Sequence, residues 1–464
     1  MVEKPHSRRK FLTYAGAGVV AAAAGIGYLT RDYWSPTVPS STTTSPTASP
    51  PETSTPKPLK ATFDYSPKYR YILQDPNQTV EFKNLTEYSG DKPAFEWRIN
   101  NKSVSQEWDY STKLEPGKHD VRLTARDGKT SDGYTEDIEV DEYGPDYPER
   151  KLNVEIKGIG YLVGVPGWLD PIVPVSRMEE DLSVIRNELG CNGIRIEGSY
   201  DEQILECGKI AIKKEFDYIS LNPRYIDDGW DQYSTKIKNF APKAEELRKE
   251  SEAIILQPAT EFCVDSAAVF KRVTYAERAP NLGGDMKVNP NWHNQFMSYL
   301  KELIALCREH FHGRVTYNEA WWEFVKWTEL DVDIIGSNQW NDPLRTESIE
   351  ITLRRLMAVG KPVIASEFGS VSYEGACALG GYGWSKTGIY SEDAQAACIE
   401  YYLETYNKVR PHGAFLVYFY DPTNPWKSKE QTFSIMKPEL SQTVHKLSRK
   451  KAFYMYKSYK RVGS

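Results

Sequence analysis

The pattern of apolar and polar positions changes character along the chain. Between 79 and 127, short runs alternate with period two: TVEFKNLT (79–86), AFEWRIN (94–100) and KHDVRLTARD (118–127). Such alternation, broken by Asn, Gly, Asp and Pro, predicts half-buried strands joined by turns. It points to a small all-β sandwich of the immunoglobulin-like kind over 59–142. From about 150 onward the pattern becomes bipartite. Apolar runs of strand length are followed by stretches whose apolar residues recur every three or four positions, the spacing of one helix face. The strand-like runs are NVEIKGIGYLV (153–163), CNGIRIEGS (191–199), FDYISLNPRYI (216–226), EAIILQPATEF (252–262), RVTYNEAWWEF (314–324), DVDIIGSNQWN (331–341), GKPVIASEFGS (360–370) and GAFLVYFYD (413–421). Helical spacing fills 175–190, 201–214, 234–251, 294–311, 347–360 and 391–409, and one long helix is expected over 439–460.

Strands that read as apolar throughout are covered on both faces, as in sheets flanked by helices. Eight of them in alternation with helices predict a (β/α)8 TIM barrel over 150–464, making the chain multidomain. The interval ELDVD (329–333) leaves little room for a helix between the fifth and sixth runs. An open doubly wound sheet is the competing arrangement, but such sheets usually carry a glycine-rich phosphate loop, and neither G-x-G-x-x-G nor a P-loop pattern occurs. No nucleotide cofactor is therefore expected.

The front of the chain is not fold. SRRKFL (7–12) places two arginines before an apolar Ala/Gly run at 15–28. Residues 1–34 thus read as a targeting segment whose apolar run is either cleaved or kept as an anchor. The pair Arg8-Arg9 in that setting resembles a twin-arginine signal, which implies export to the exterior or the cell surface; an ordinary N-terminal membrane anchor is the other reading. Residues 35–58 are almost wholly Ser, Thr and Pro and read as an extended linker.

Composition adds three constraints. A net charge of -6 gives no sign of a nucleic-acid partner. The six cysteines all follow the linker, and export permits disulfides, but spacing alone does not choose among the pairings. Twelve Trp and thirty Tyr are more than a plain core needs, and aromatic faces that stack on sugars are one use for the surplus.

In a barrel, chemistry sits where strands end. The strand ends offer Arg195 and Glu197, Thr260-Glu261, Asn318-Glu319, Asn338 with Trp340, Glu367, and Tyr418, Tyr420 and Asp421. Two carboxylates among aromatics suit glycosidic bond cleavage, one neutral to protonate the leaving oxygen and one charged to attack the anomeric carbon. Trp321, Trp322, Trp340, Tyr418, Trp384 and Asn338 are the candidate substrate-binding residues. Consecutive tryptophans on one strand must face opposite ways, which would send one of Trp321 and Trp322 to the barrel interior or mouth. His310 and His312 have no neighbouring Cys or Asp to complete a metal set, and Asp227-Asp228 reads as a turn.

Specific resemblances follow from these residues. Phe82, Trp97 in FEWRIN, and LEPGKHDVRLTARD resemble PKD-like modules of secreted enzymes, which implies a spacer or weak binder. VIASEFG (363–369) resembles the nucleophile strand of glycoside hydrolase clan A, and EFGSVSYEGACALGGYGW (367–384) is similar to barrels often labelled "abortive infection protein". The clan resemblance implies Glu367 as nucleophile, Glu261 as acid/base after the fourth strand, and Arg195 as the arginine that keeps the nucleophile charged. It departs from the clan at Thr260, where an asparagine usually precedes the acid/base. A literal Asn-Glu pair stands instead at Asn318-Glu319, so Glu319 is the alternative acid/base if 216–226 is not a barrel strand. The expectation is an exported retaining glycoside hydrolase that needs no metal or organic cofactor and acts on a poly- or oligosaccharide. The alternatives are a non-catalytic glycan- or cell-wall-binding surface protein, and an interaction protein whose sandwich is the working part.

Overall fold

The computed structural model describes residues 58–66, 79–140, 144–164, 173–272, 274–380, 389–420, 433–440 and 445–463. The signal-like segment, the linker through residue 57 and Trp384 lie outside the described residues. Two compact units are present, one within residues 145–439 and 449–463, the other within 58–140 and 440–448.

The smaller unit is a two-sheet sandwich. Phe63–Ser66, Val80–Asn84 and Tyr110–Thr112 form one antiparallel sheet, and Lys102–Ser105, Ala94–Ile99, Gly117–Arg126 and Ser131–Val140 form the other in that order. The period-two pattern explains the core. Val80, Phe82 and Asn84 are buried while Glu81 and Lys83 between them are exposed. Phe63 and Phe82 from one sheet meet Trp97, Val121 and Leu123 from the other. The Trp97 indole N–H, too polar to bury alone, donates to Glu107 O at 3.0 Å.

The larger unit is a closed parallel barrel of eight strands: Ile156–Leu162, Gly193–Gly198, Tyr218–Pro223, Ile254–Leu256, Arg314–Glu319, Ile334–Asn338, Val363–Phe368 and Gly413–Leu416. Each apolar run supplies one strand, and their neighbours follow chain order. The flanking helices are Val175–Ser183, Asp201–Lys213, Trp230–Glu250, Trp292–His310, Ile349–Met357 and Glu392–Val409. Only a single turn of 3-10 helix, Trp327–Glu329, stands between the fifth and sixth strands, as the short interval predicts. The long excursion after the fourth strand holds two further helices, Phe262–Asp265 and Tyr275–Val288, the second opened by a Thr274/Glu277 capping box.

The base of the barrel is filled by Ile156, Tyr218, Ile255, Ile334, Ile364 and Phe415. Gly158 makes room for the ring of Phe415: a Cβ there would stand 2.3 Å from it. Outside the barrel, the disulfide Cys377–Cys398 ties the loop after the seventh strand to the helix Glu392–Val409, and the other four cysteines are buried thiols.

The expected closing helix over 439–460 is not formed. Its span is divided among the strands Met436–Leu440 and His445–Arg449, the helix Lys451–Ser458 and the strand Tyr459–Arg461. The apolar spacing that suggested one is realised as helix only over Lys451–Ser458. Lys157, buried beneath them, donates to Tyr456 O at 2.9 Å, Tyr459 O at 2.8 Å and Leu189 O at 2.5 Å. An ammonium on the final carbonyls of two helical segments is favoured by their dipoles. Among the described residues, no helix is long and apolar enough to cross a membrane.

Candidate active site

The site is assembled where the second, fourth, sixth and seventh strands end. Glu367 owes its aim to an irregularity. Ile364 faces the barrel interior with the base residues, so strict alternation would turn Glu367 outward. Ala365 lies opposite Ser337 on the sixth strand, however, while Glu367 lies opposite Asn338, one register step on. Ser366 is therefore an extra residue, a bulge of the kind that re-aims side chains next to functional sites. Glu367 turns in, and its Oε1 lies 3.0 Å from Nη2 of Arg195.

Arg195 is 2% exposed, and each arm of its guanidinium is occupied. Nε donates to Glu197 and Nη1 to the carbonyl of Ser366, the bulge residue itself. The network continues through Glu197 Oε2, which accepts from Arg224 Nη1 at 3.3 Å. Arg224 also donates to the Tyr418 hydroxyl at 3.2 Å and grips Asp265 with two bonds of 2.9 and 2.8 Å. Buried charges persist only when paired in this way. Asp265 closes the short helix that starts just after Glu261, so one chain of ion pairs joins the seventh strand to the fourth.

Glu261 stands five residues beyond Leu256, where the fourth strand ends. Thr260 still bridges Asn318 on the fifth strand. The Glu261 carboxylate accepts from Asn338 Nδ2 at 2.9 Å, and Asn338 Oδ1 accepts from the Ser366 hydroxyl at 2.8 Å. Asn338 thus sits between the two glutamates, opposite one in register and bonded to the other. Burial pushes both carboxyls above their ordinary range. Arg195 pulls Glu367 back down, whereas the charge of Glu261 pushes it up, so the two titrate as a pair.

Arg195, Glu261, Glu367, Asn338 and Tyr418 therefore share one mouth. Glu319 does not join them. Asn318 occupies the inner face of the fifth strand, its Oδ1 filling the space a side chain at Gly336 would need. Glu319 points the other way, where Ser337 Oγ at 3.2 Å and Val325 N at 3.3 Å donate to it and burial lifts its pKa to about 7. Because 216–226 does contribute the third strand, the count places Glu261, not Glu319, after the fourth.

Trp340 packs at the mouth with Leu162, Val417 and Tyr418. Trp321 and Trp322 are not on a strand. The fifth strand ends at Glu319, and Ala320 N donates to Glu323 Oε2 at 3.0 Å, folding the chain into a turn. The alternation expected of the two rings therefore fails, and both are half-buried in that turn.

Several residues at the mouth escaped the sequence reading. Arg224 directly follows the third strand and could have been found by the same strand-end rule. Tyr275 begins the helix in the excursion, and its phenol is pushed up first by burial and then by the charges of Asp265, Glu261 and Glu367. Three buried side chains on or just past neighbouring strands, Asn222, Thr260 and Asn318, carry polar atoms with no hydrogen-bond partner among the described residues. Among the described residues, no group of three or more His, Cys, Asp or Glu is arranged to hold a metal ion.

No family model matches the chain, and no curated protein matches it. Solved structures that match include glycoside hydrolases. A GH113 beta-1,4-mannanase is 18% identical, with 66% of this chain and 98% of that one covered and a TM-score of 0.44. A GH113 beta-mannanase from Alicyclobacillus acidocaldarius is 16% identical, covering 62% and 94%, with a TM-score of 0.40. The beta-glucuronidase of Parabacteroides merdae is 12% identical, covering 87% and 54%, with a TM-score of 0.46. Likenesses at this level decide nothing about chemistry, which rests on the residues at the mouth.

Proposed function

We propose that the chain is a retaining glycoside hydrolase acting on a poly- or oligosaccharide, with Glu367 as nucleophile and Glu261 as acid/base. The observation that carries this reading is Asn338: it lies opposite Glu367 in register and donates to Glu261 at 2.9 Å, so two carboxyls face one mouth. Only one of them touches a cation. A guanidinium at 3.0 Å favours the charged form of Glu367, although burial still lifts that carboxyl to about 8. The mechanism requires that, when the pair holds a single proton, the proton sit on Glu261, which burial also pushes up.

In that state Glu261 gives its proton to the glycosidic oxygen as Glu367 attacks the anomeric carbon. The aglycone leaves and a glycosyl ester forms on Glu367. Glu261, now a carboxylate, takes a proton from water, which attacks the same carbon and releases Glu367. No metal or organic cofactor is needed for either step. The unpartnered polar atoms of Asn222, Thr260 and Asn318 suit recognition of hydroxyl groups.

Around this centre the same proposal extends to the front of the chain: export by the twin-arginine route, a linker, and a PKD-like sandwich serving as spacer. Changing Arg8-Arg9 to Lys-Lys should block export and leave active protein inside the cell.

The deciding experiment presents purified protein with a panel of polysaccharides and activated aryl glycosides, and reads product configuration by NMR. Turnover with retained configuration is expected, abolished in Glu367→Gln. Glu261→Ala should keep activity on aryl glycosides with good leaving groups, be rescued in part by azide, and lose natural substrates. A protein that binds glycans but turns over none, with both variants binding as well, would be a binding module instead.

A further inference from the structure

Glu261 occupies a backbone conformation that few glutamates adopt, with φ 40° and ψ 49°. This left-handed region crowds a Cβ against the backbone, so surrounding structure must hold it there. Three successive N–H groups at this turn are claimed by the fifth strand and the turn that follows it. Glu261 N donates to Asn318 O at 3.0 Å. Phe262 N donates to the Tyr317 hydroxyl oxygen at 3.0 Å, and Cys263 N to Glu323 Oε1 at 3.2 Å. The Tyr317 hydroxyl in turn donates to Glu323 Oε2 at 2.7 Å, and Ala320 N joins the same oxygen at 3.0 Å.

Neither side chain can meet a substrate at the mouth. Both are fully buried, and Tyr317 lies on the face of its strand opposite Asn318. Burial lifts the Glu323 pKa to about 8. Even so, three donors converge on its two oxygens, an arrangement suited to a carboxylate, which only accepts. The far end of the same short helix is held by different hands: Arg278 donates to Val264 O at 2.8 Å and Asp265 O at 2.7 Å. A buried phenol and carboxylate do nothing for packing that apolar residues could not do better. Between them they hold two successive amides of the strained turn of Glu261, and Glu323 also anchors the turn at Ala320.

We infer that Tyr317 and Glu323 are positioning residues that hold the turn carrying Glu261 in its left-handed conformation and so aim its carboxyl at the leaving group. The inference rests on Glu261 being the acid/base, and two independent readouts keep its failure distinct from a failure of that assignment.

The first readout needs no substrate. In amide hydrogen exchange, Phe262 and Cys263 of the wild-type protein should be protected to the level of the barrel strands, although the turn borders the mouth. Tyr317→Phe and Glu323→Gln, which keep size and shape, should each speed exchange there by roughly tenfold or more, as expected for a lost local hydrogen bond, and leave the base strands unchanged. Unprotected amides in the wild type, or variants without local change, would overturn the cradle. The wild-type measurement stands even where a variant fails to fold.

The second readout uses aryl glycosides graded by leaving group. Both variants should lower kcat/KM for poor leaving groups by about ten- to a hundredfold, the cost of a small misplacement. They should barely change it for activated leaving groups, and azide should partly rescue turnover. A uniform fall across leaving groups would overturn the positioning role and make the pair merely structural. Wild-type protein inactive on every glycoside would sink the glycosidase reading, while exchange would still decide whether the pair holds the turn.

Discussion

The base and the mouth of the barrel are built by the same eight strands and hold opposite contents. At the base, Ile156, Tyr218, Ile255, Ile334, Ile364 and Phe415 pack as a dry layer, with Gly158 shaped around the Phe415 ring. At and just beyond the ends of the same strands come Arg195, Glu197, Arg224, Asp265 and Glu367, all ionisable and almost without exposure, with Glu261 half-buried beside them. Apolar burial at the base stabilises without needing exact partners. Charges at the mouth are favourable only as a set, and leave a carboxyl pair that burial alone would neutralise. The fold is secured at one end so that the other can hold an arrangement that is costly by itself.

The comparison can be broken at either end. At the mouth, Arg195→Lys replaces a guanidinium with fixed forks by a single ammonium. We expect kcat/KM to fall roughly a hundredfold, as for loss of one well-placed electrostatic partner. The sign of the accompanying pH effect is fixed. A weaker cation leaves the Glu367 pKa higher, and the nucleophile works only when charged, so the acid limb of the profile should move to higher pH. An unmoved limb would mean that Arg195 does not set the charge of Glu367.

At the base, Phe415→Ala should lower unfolding stability by about 3–5 kcal/mol, the usual cost of emptying an aromatic site in a core. Turnover per folded molecule should stay near the wild-type value. Denaturant unfolding and active-site-normalised rates measure the two separately, and a large loss of turnover in folded protein would show that base and mouth are not independent.

The smallest effect is expected at Glu319, which is a carboxyl at the mouth's level but on the outer face. Its folded-state pKa near 7 exceeds the ordinary 4.5. The folded protein therefore keeps a proton that the unfolded chain sheds, and stability from this group is lost as pH rises from about 4.5 to 7. Glu319→Gln cannot ionise, so it should gain up to about 3 kcal/mol relative to wild type between pH 5 and pH 8. Turnover should be retained. Loss of turnover would return Glu319 to the acid/base role.

Much of this was legible in the sequence because barrel strands are covered on both faces. Each of the eight stands out as an apolar run, and a lone acid at its end, as in VIASEFG, is conspicuous. What stayed hidden depends on pairing between distant segments. The extra residue at Ser366 that turns Glu367 inward exists only relative to Asn338 on the next strand. The partners of Arg195 come from its own strand, from the seventh and from Val417 just past the eighth, and Tyr275 and Arg278 arrive from an excursion whose spacing gave no hint of where it would fold back. Trp321-Trp322 looked like strand because aromatic residues favour strands. The turn there is set by the hydrogen bonds of Glu323, which no spacing reveals.

The central claim is a covalent bond to Glu367. Incubation of the protein with a panel of activated 2-deoxy-2-fluoro glycosides, followed by intact mass and peptide mapping, tests it directly. One added glycosyl unit is expected, on the peptide that contains Glu367, and none in Glu367→Gln. An adduct on Glu261, Glu319 or another carboxylate, or turnover with inverted configuration and no adduct, would contradict it.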